Sequence, residues 1–147
     1  MDVIIPEGFD DLKAADLNGV IDEMVHLLVA AGKIAPEVES KVAQALKHRE
    51  QLGSTAVSKG VAIPHVRNEC IAQLIVALGR SKRGVNYEAE DRKHTHLFFL
   101  VLSSKEGAAE HLERLVQISH AIRDDKKMLE IMCEQDRRKL EQLVKAL

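Results

Sequence analysis

The chain has 147 residues, 46% hydrophobic and 30% charged, with 21 Lys and Arg against 23 Asp and Glu for a net charge of −2. That length and mix predict one globular domain over residues 1–147 with a sizeable core, and they exclude an unfolded chain. Near-neutral charge and four aromatic residues leave little for a nucleic-acid surface, and no apolar run approaches the roughly 18 residues of a membrane helix.

In chain order, a short apolar start (Val3, Ile4, Ile5) precedes Leu17, Val20, Ile21, Met24, Leu27, Leu28 and Ala31, which fall at helical spacing and stop at Gly32. The opening MDVIIPEGFDD has no leader organisation. Pro36 suits the first position of a second helix, whose apolar face is Val38, Val42, Ala45 and Leu46 and which runs until Gly53. Arg49 stands on that same stripe. Either its stem packs while the guanidinium reaches water at the helix's negative end, or it faces inward to meet an anion.

Thr55–Val57 and Val61–Ile63 read as two strands around a Ser58-Lys59-Gly60 turn, with Pro64 ending the second and His65 beginning a loop. Leu74–Leu78 and Leu97–Leu102 are nearly continuous apolar runs, which suits central strands covered on both faces. Gly84, Asn86 and the charged stretch 88–93 form an exposed connection between them. Beyond Gly107 a helix carries Leu112, Leu115, Val116, Ser119 and Ile122 on one stripe, with His111 in its first turn. A short helix bearing Met128, Leu129, Ile131 and Met132 follows Asp124 and Asp125, and Asp136 caps a last one with Leu140, Leu143, Val144 and Leu147. The cluster Arg137-Arg138-Lys139 reads as a solvated face. Two helices, a group of strands and three helices predict an α/β fold, a three-layer α/β/α sandwich.

Chemistry narrows by residue type. Cys70 and Cys133 are solitary, with no CxxC, so neither a disulfide framework nor a cysteine zinc site is indicated and a reducing cytoplasm fits. There is no G-x-S-x-G elbow and no phosphate-cradling G-x-x-x-x-G-K-[ST] loop. His94 and His96, alternate residues entering a strand, put two imidazoles on one face; they are either surface residues or the start of a zinc or copper site lacking its third ligand. His111 and His120 lie nine residues apart, on opposite sides of one helix, so at most one serves a site.

The segment from Arg49 to His65, reading RE-x-x-G-S-T-x-x-x-x-G-V-A-I-P-H over 17 positions, resembles the signature of phosphotransferase-system EIIA domains of the fructose/mannitol type, stand-alone nitrogen-related regulators included. The resemblance implies an α/β/α fold around a small mixed sheet. It implies that His65 accepts a phosphoryl group from phospho-HPr and passes it to an EIIB-type protein, or that its phosphorylation state gates regulated partners. Arg49 matches the family's active-site arginine and His111 its second histidine, without metal or organic cofactor. The chemistry agrees: neutral imidazole is a good nucleophile near pH 7 and, once phosphorylated, a good leaving group. Arg49's planar fork binds two phosphoryl oxygens, and His111 adds a donor at a helix's positive end. Ser54 and Thr55 are either further hydroxyl donors or local caps, and Arg67 is an exposed charge or a partner contact.

Overall fold

The computed structural model describes residues 1–57, 59–87 and 94–147. Asp16 opens helix α1 (Leu17–Ala30) by accepting the Gly19 N–H at 2.7 Å, one of the donors that a helix start leaves unpaired. Val20, Ile21, Met24, Val25 and Leu28 form its buried stripe, each such side chain stabilising the fold by about 1.5–3 kcal/mol. Pro36 opens a 3-10 turn (Pro36–Val38) that runs into α2 (Glu39–Leu52). The buried stripe of α2 is Val42, Ala43, Leu46 and the carboxylate residue Glu50.

The sheet is built on β4 (Thr95–Ser103), whose apolar run is buried throughout. β3 (Ile75–Val85) pairs with it antiparallel, with Gly79 opposite Phe98 and Arg80 opposite Leu97. Along its other edge run β1 (Val61–Ala62) and then β2 (His65–Arg67), both parallel, with Val61 opposite Leu97 and His65 opposite Val101. Ile4 adds a parallel bridge to Ala77 beyond β3.

Side-chain alternation along β4 assigns the layers. Over Gly79, on the Phe98 face, lie Leu12 and Met24, so that face carries α1 and, through Tyr87 and Glu50, α2. A Cβ at Gly79 would stand 2.9 Å from Leu12 Cδ1, so glycine is what lets the helix layer approach. The opposite face carries α3 (Ala108–Ala121) and α4 (Asp125–Cys133), with α5 (Arg137–Lys145) packed on α4. The three-layer α/β/α architecture with a mixed sheet is therefore as expected.

Four local expectations are corrected. His65 begins β2 rather than a loop: Pro64 lacks an N–H, but its carbonyl still accepts from Val101 at 3.0 Å, so pairing resumes at the next residue. Thr55–Val57 is not a full strand; Ala56 makes one antiparallel bridge to Ala62, and Ser58 in the turn lies outside the described residues. β3 continues past Leu78 to Val85 because Arg80, a polar residue that reads as surface, is buried with its guanidinium donating to the carbonyls of Asp10 and Ile131, each at 3.0 Å. α3 is rotated from the predicted stripe: His111 and Ile118 are buried, while Leu112 and Val116 are 62% and 49% exposed and Ser119 is exposed. The charged connection 88–93 lies outside the described residues.

Candidate functional site

His65 is the first residue of β2, half-buried and level with Val101 near the carboxyl end of the central strand, the end at which open α/β sheets bind ligands. Its Nδ1 lies 2.6 Å from the Ile63 carbonyl oxygen. A carbonyl only accepts, so Nδ1 carries the hydrogen and donates it, and the lone pair resides on Nε2. Nε2 has no hydrogen-bond partner among the described residues. Burial lowers the His65 pKa below the ordinary 6.5 and the Arg49 charge pushes it the same way, against the Ile63 carbonyl and the Glu50 carboxylate. At neutral pH the ring is uncharged and nucleophilic at Nε2.

His111, in the first turn of α3, is buried with its ring centroid 5.6 Å from that of His65 and the planes tilted by 49°. Its Nδ1 lies 2.6 Å from Ser103 Oγ at the end of β4. Burial first, then the proximity of His65 and Arg67, push its pKa down to about 4. The site thus holds two neutral imidazoles side by side.

Two cations flank them. Arg49, in the last turn of α2, donates from one guanidinium nitrogen to the Gly53 carbonyl at 2.8 Å and acts electrostatically on His65. Arg67, ending β2, donates to the Lys105 carbonyl at 2.9 Å and acts on His111. A carbonyl occupies one donor of each fork and leaves the others for an anion. The structure therefore brings together His65, Arg49 and His111, the three residues singled out in the sequence.

The hydroxyls of Ser54 and Thr55 are used locally. Ser54 Oγ accepts from the Ala56 N–H at 3.1 Å, and Thr55 Oγ1 donates to the Glu50 carboxylate. That carboxylate also accepts from the Thr55 N–H at 3.0 Å and the Tyr87 hydroxyl at 2.8 Å, tying the end of α2 to the chain that leads to β1. Sequence reasoning assigned no role to Glu50, Tyr87 or Ser103. Glu50 was findable, because it lies four residues after Leu46 and seven after Ala43, on the stripe of α2 that packs inward.

The remaining histidines stand elsewhere. His26, His48 and His120 are exposed. His94 and His96 lie at the opposite end of β4, packed over Gly84, and His96 Nδ1 meets the Ser81 carbonyl at 2.8 Å. Among the described residues they form no group of three His, Cys, Asp or Glu able to hold a metal.

The family model described as "Phosphoenolpyruvate-dependent sugar phosphotransferase system, EIIA 2" matches residues 9–146. The chain belongs to this EIIA family. It is 36% identical over 109 residues to the fructose-specific EIIABC component of Bacillus subtilis, covering 74% of this chain but 17% of that protein. It is 32% identical over 123 residues to the nitrogen regulatory protein of Bradyrhizobium diazoefficiens, covering 84% of this chain and 79% of that one. Among solved structures, nitrogen regulatory protein IIA-Ntr from Neisseria meningitidis superposes with a TM-score of 0.82 at 26% identity, over 92% of this chain and 90% of that one. The Escherichia coli complex of enzyme IIA-Mtl with phosphorylated enzyme IIB-Mtl shares the fold, with a TM-score of 0.78 at 19% identity over 99% of both chains. In this EIIA chain no helix among the described residues is long and apolar enough to cross a membrane.

Proposed function

We propose that this EIIA chain is a cytoplasmic phosphoryl carrier of the phosphoenolpyruvate-dependent phosphotransferase system, accepting the group on His65 Nε2 from phospho-HPr and passing it to an EIIB-type acceptor. The observation that carries the reading is the pair of imidazole rings 5.6 Å apart, with His65 Nδ1–H held by the Ile63 carbonyl, Nε2 left open, and the ring within the electrostatic reach of Arg49. In the transfer, the Nε2 lone pair forms the new P–N bond while the donor's P–N bond breaks, its electron pair returning to the donor ring nitrogen. Positive charge develops on the His65 ring, and the carbonyl accepting from Nδ1–H stabilises it. Charge on the three phosphoryl oxygens is spread in a loose transition state, where the unused Arg49 donors and the first turn of α3 act as preorganised electrostatic partners. Onward transfer is the reverse step toward another nucleophile, with no metal or organic cofactor in it.

The exposed Leu112 and Val116 beside His111, with Leu52 73% exposed at the end of α2, suit the apolar contact area of a transient protein partner. A regulatory reading uses the same His65 chemistry to gate a partner protein. It is favoured by the nitrogen regulatory relative, which this chain matches over most of both lengths.

Incubation with phosphoenolpyruvate, Enzyme I and HPr, followed by intact mass, tests the proposal. The expected result is one acid-labile phosphoryl group on wild type and none on His65→Ala. Label that survives His65→Ala overturns the assignment.

A further inference from the structure

Ser103 is the last residue of β4, 2% exposed, and its Oγ has His111 Nδ1 at 2.6 Å as its hydrogen-bond partner among the described residues. Two proton arrangements satisfy that distance. In one, His111 Nδ1–H donates to Oγ; the hydroxyl hydrogen of Ser103 is then left in a buried site without an acceptor, and His111 presents a bare lone pair at Nε2. In the other, the Ser103 hydroxyl donates to Nδ1 and the hydrogen of the imidazole resides on Nε2. The second leaves unused only lone pairs of an oxygen that has already spent its hydrogen, which costs less than a buried orphan donor. It also gives the site opposite polarities: His65 offers a lone pair at Nε2, and His111 offers an N–H where phosphoryl oxygens would gather.

We propose that Ser103 is a positioning residue. By donating to Nδ1 it locks His111 as the Nε2–H tautomer, so that the second imidazole enters phosphoryl transfer as a hydrogen-bond donor to the group on His65. The proposal rests on the carrier reading for its purpose, but the tautomer is a property of the unphosphorylated chain and can be read independently. Ser103 touches His111 and acts through it.

Long-range proton–nitrogen NMR of the imidazoles reports which nitrogen carries the hydrogen, and a merely structural serine would leave that signature unchanged. Wild type should show His111 protonated at Nε2. Ser103→Ala should shift the His111 population toward Nδ1–H and slow phosphoryl release to an EIIB-type acceptor by about tenfold, the loss of one charge-assisted hydrogen bond. Ser103→Thr, which keeps the hydroxyl, should restore both. Nδ1–H at His111 in wild type, or a tautomer unmoved in folded Ser103→Ala, overturns the proposal. Absence of label on His65 in the same preparations would instead overturn the carrier reading, with the tautomer measurement still deciding the role of Ser103.

Discussion

At the scale of residues, the proposed chemistry rests on two imidazoles that would be half-charged in water near pH 6.5 and whose charged forms are both disfavoured by burial. For His65 the consequence is kinetic. Acceptance of phosphoryl should stay level as pH falls through 6.5 and decline only below it, measured as the pH profile of labelling rate, since its pKa lies under that ordinary value. For His111 the consequence is also thermodynamic. Its pKa of about 4 in the fold lies below the ordinary 6.5, so between those values the unfolded chain binds more protons. The contribution of His111 to stability is complete above pH 6.5 and is lost as pH falls toward 4. Urea unfolding at both ends of that window should show a smaller acid loss in His111→Gln than in wild type. Arg49→Lys should slow acceptance by about 100-fold, because an ammonium on a flexible stem cannot replace two parallel donors aimed at one phosphoryl group. The proposed site residues His65, Arg49 and His111 were picked out in the sequence by the Arg49–His65 signature and the helix opening at His111. Their protonation was not, since it depends on the Ile63 carbonyl and the Ser103 hydroxyl, contacts that only the folded chain creates.

At the scale of elements, buried polar groups decide what apolar patterning cannot. The end of α2 is tied to the sheet by the Glu50 carboxylate, which accepts from Thr55 and Tyr87. Burial and that carboxylate raise the Tyr87 pKa, so the phenol remains a donor. Tyr87→Phe should cost about 1–2 kcal/mol in urea unfolding, the price of leaving a buried acceptor short of a partner. Arg80→Met should cost about 2–4 kcal/mol, because the carbonyls of Asp10 and Ile131 lose their donors in the interior. The same residue shows why β3 outran its apolar run: Arg80 pairs with Leu97 and is buried despite its polarity, and after an irregularity the ladder resumes with Val85 opposite Thr95. On α3 the periodicity of Leu112, Leu115 and Val116 was correctly helical, but the stripe was assigned to the core when its larger part faces solvent beside the site. Apolar spacing records that a face is covered by something, and a partner protein leaves the same mark as a core. The helix caps at Asp124 and Asp136 are local hydrogen bonds, and so the helix starts they set were read more faithfully than the strand ends.

At the scale of the whole molecule, the three layers converge on one end of the central strand. α2 brings Arg49, the break at Pro64 presents His65, and α3 starts where β4 stops, bringing His111. The chain belongs to the EIIA family and shares its fold with IIA-Ntr and IIA-Mtl, which accords with the carrier role proposed for that end of the sheet. The central claim is that His65 Nε2 is the phosphoryl acceptor, and its most direct test is NMR of the imidazole nitrogens after phosphorylation by phosphoenolpyruvate, Enzyme I and HPr. The expected result is phosphorus bonded to Nε2 of His65 with the Nδ1–H signal to the Ile63 carbonyl retained. Phosphorus on Nδ1 of His65, or on any other residue, would contradict it.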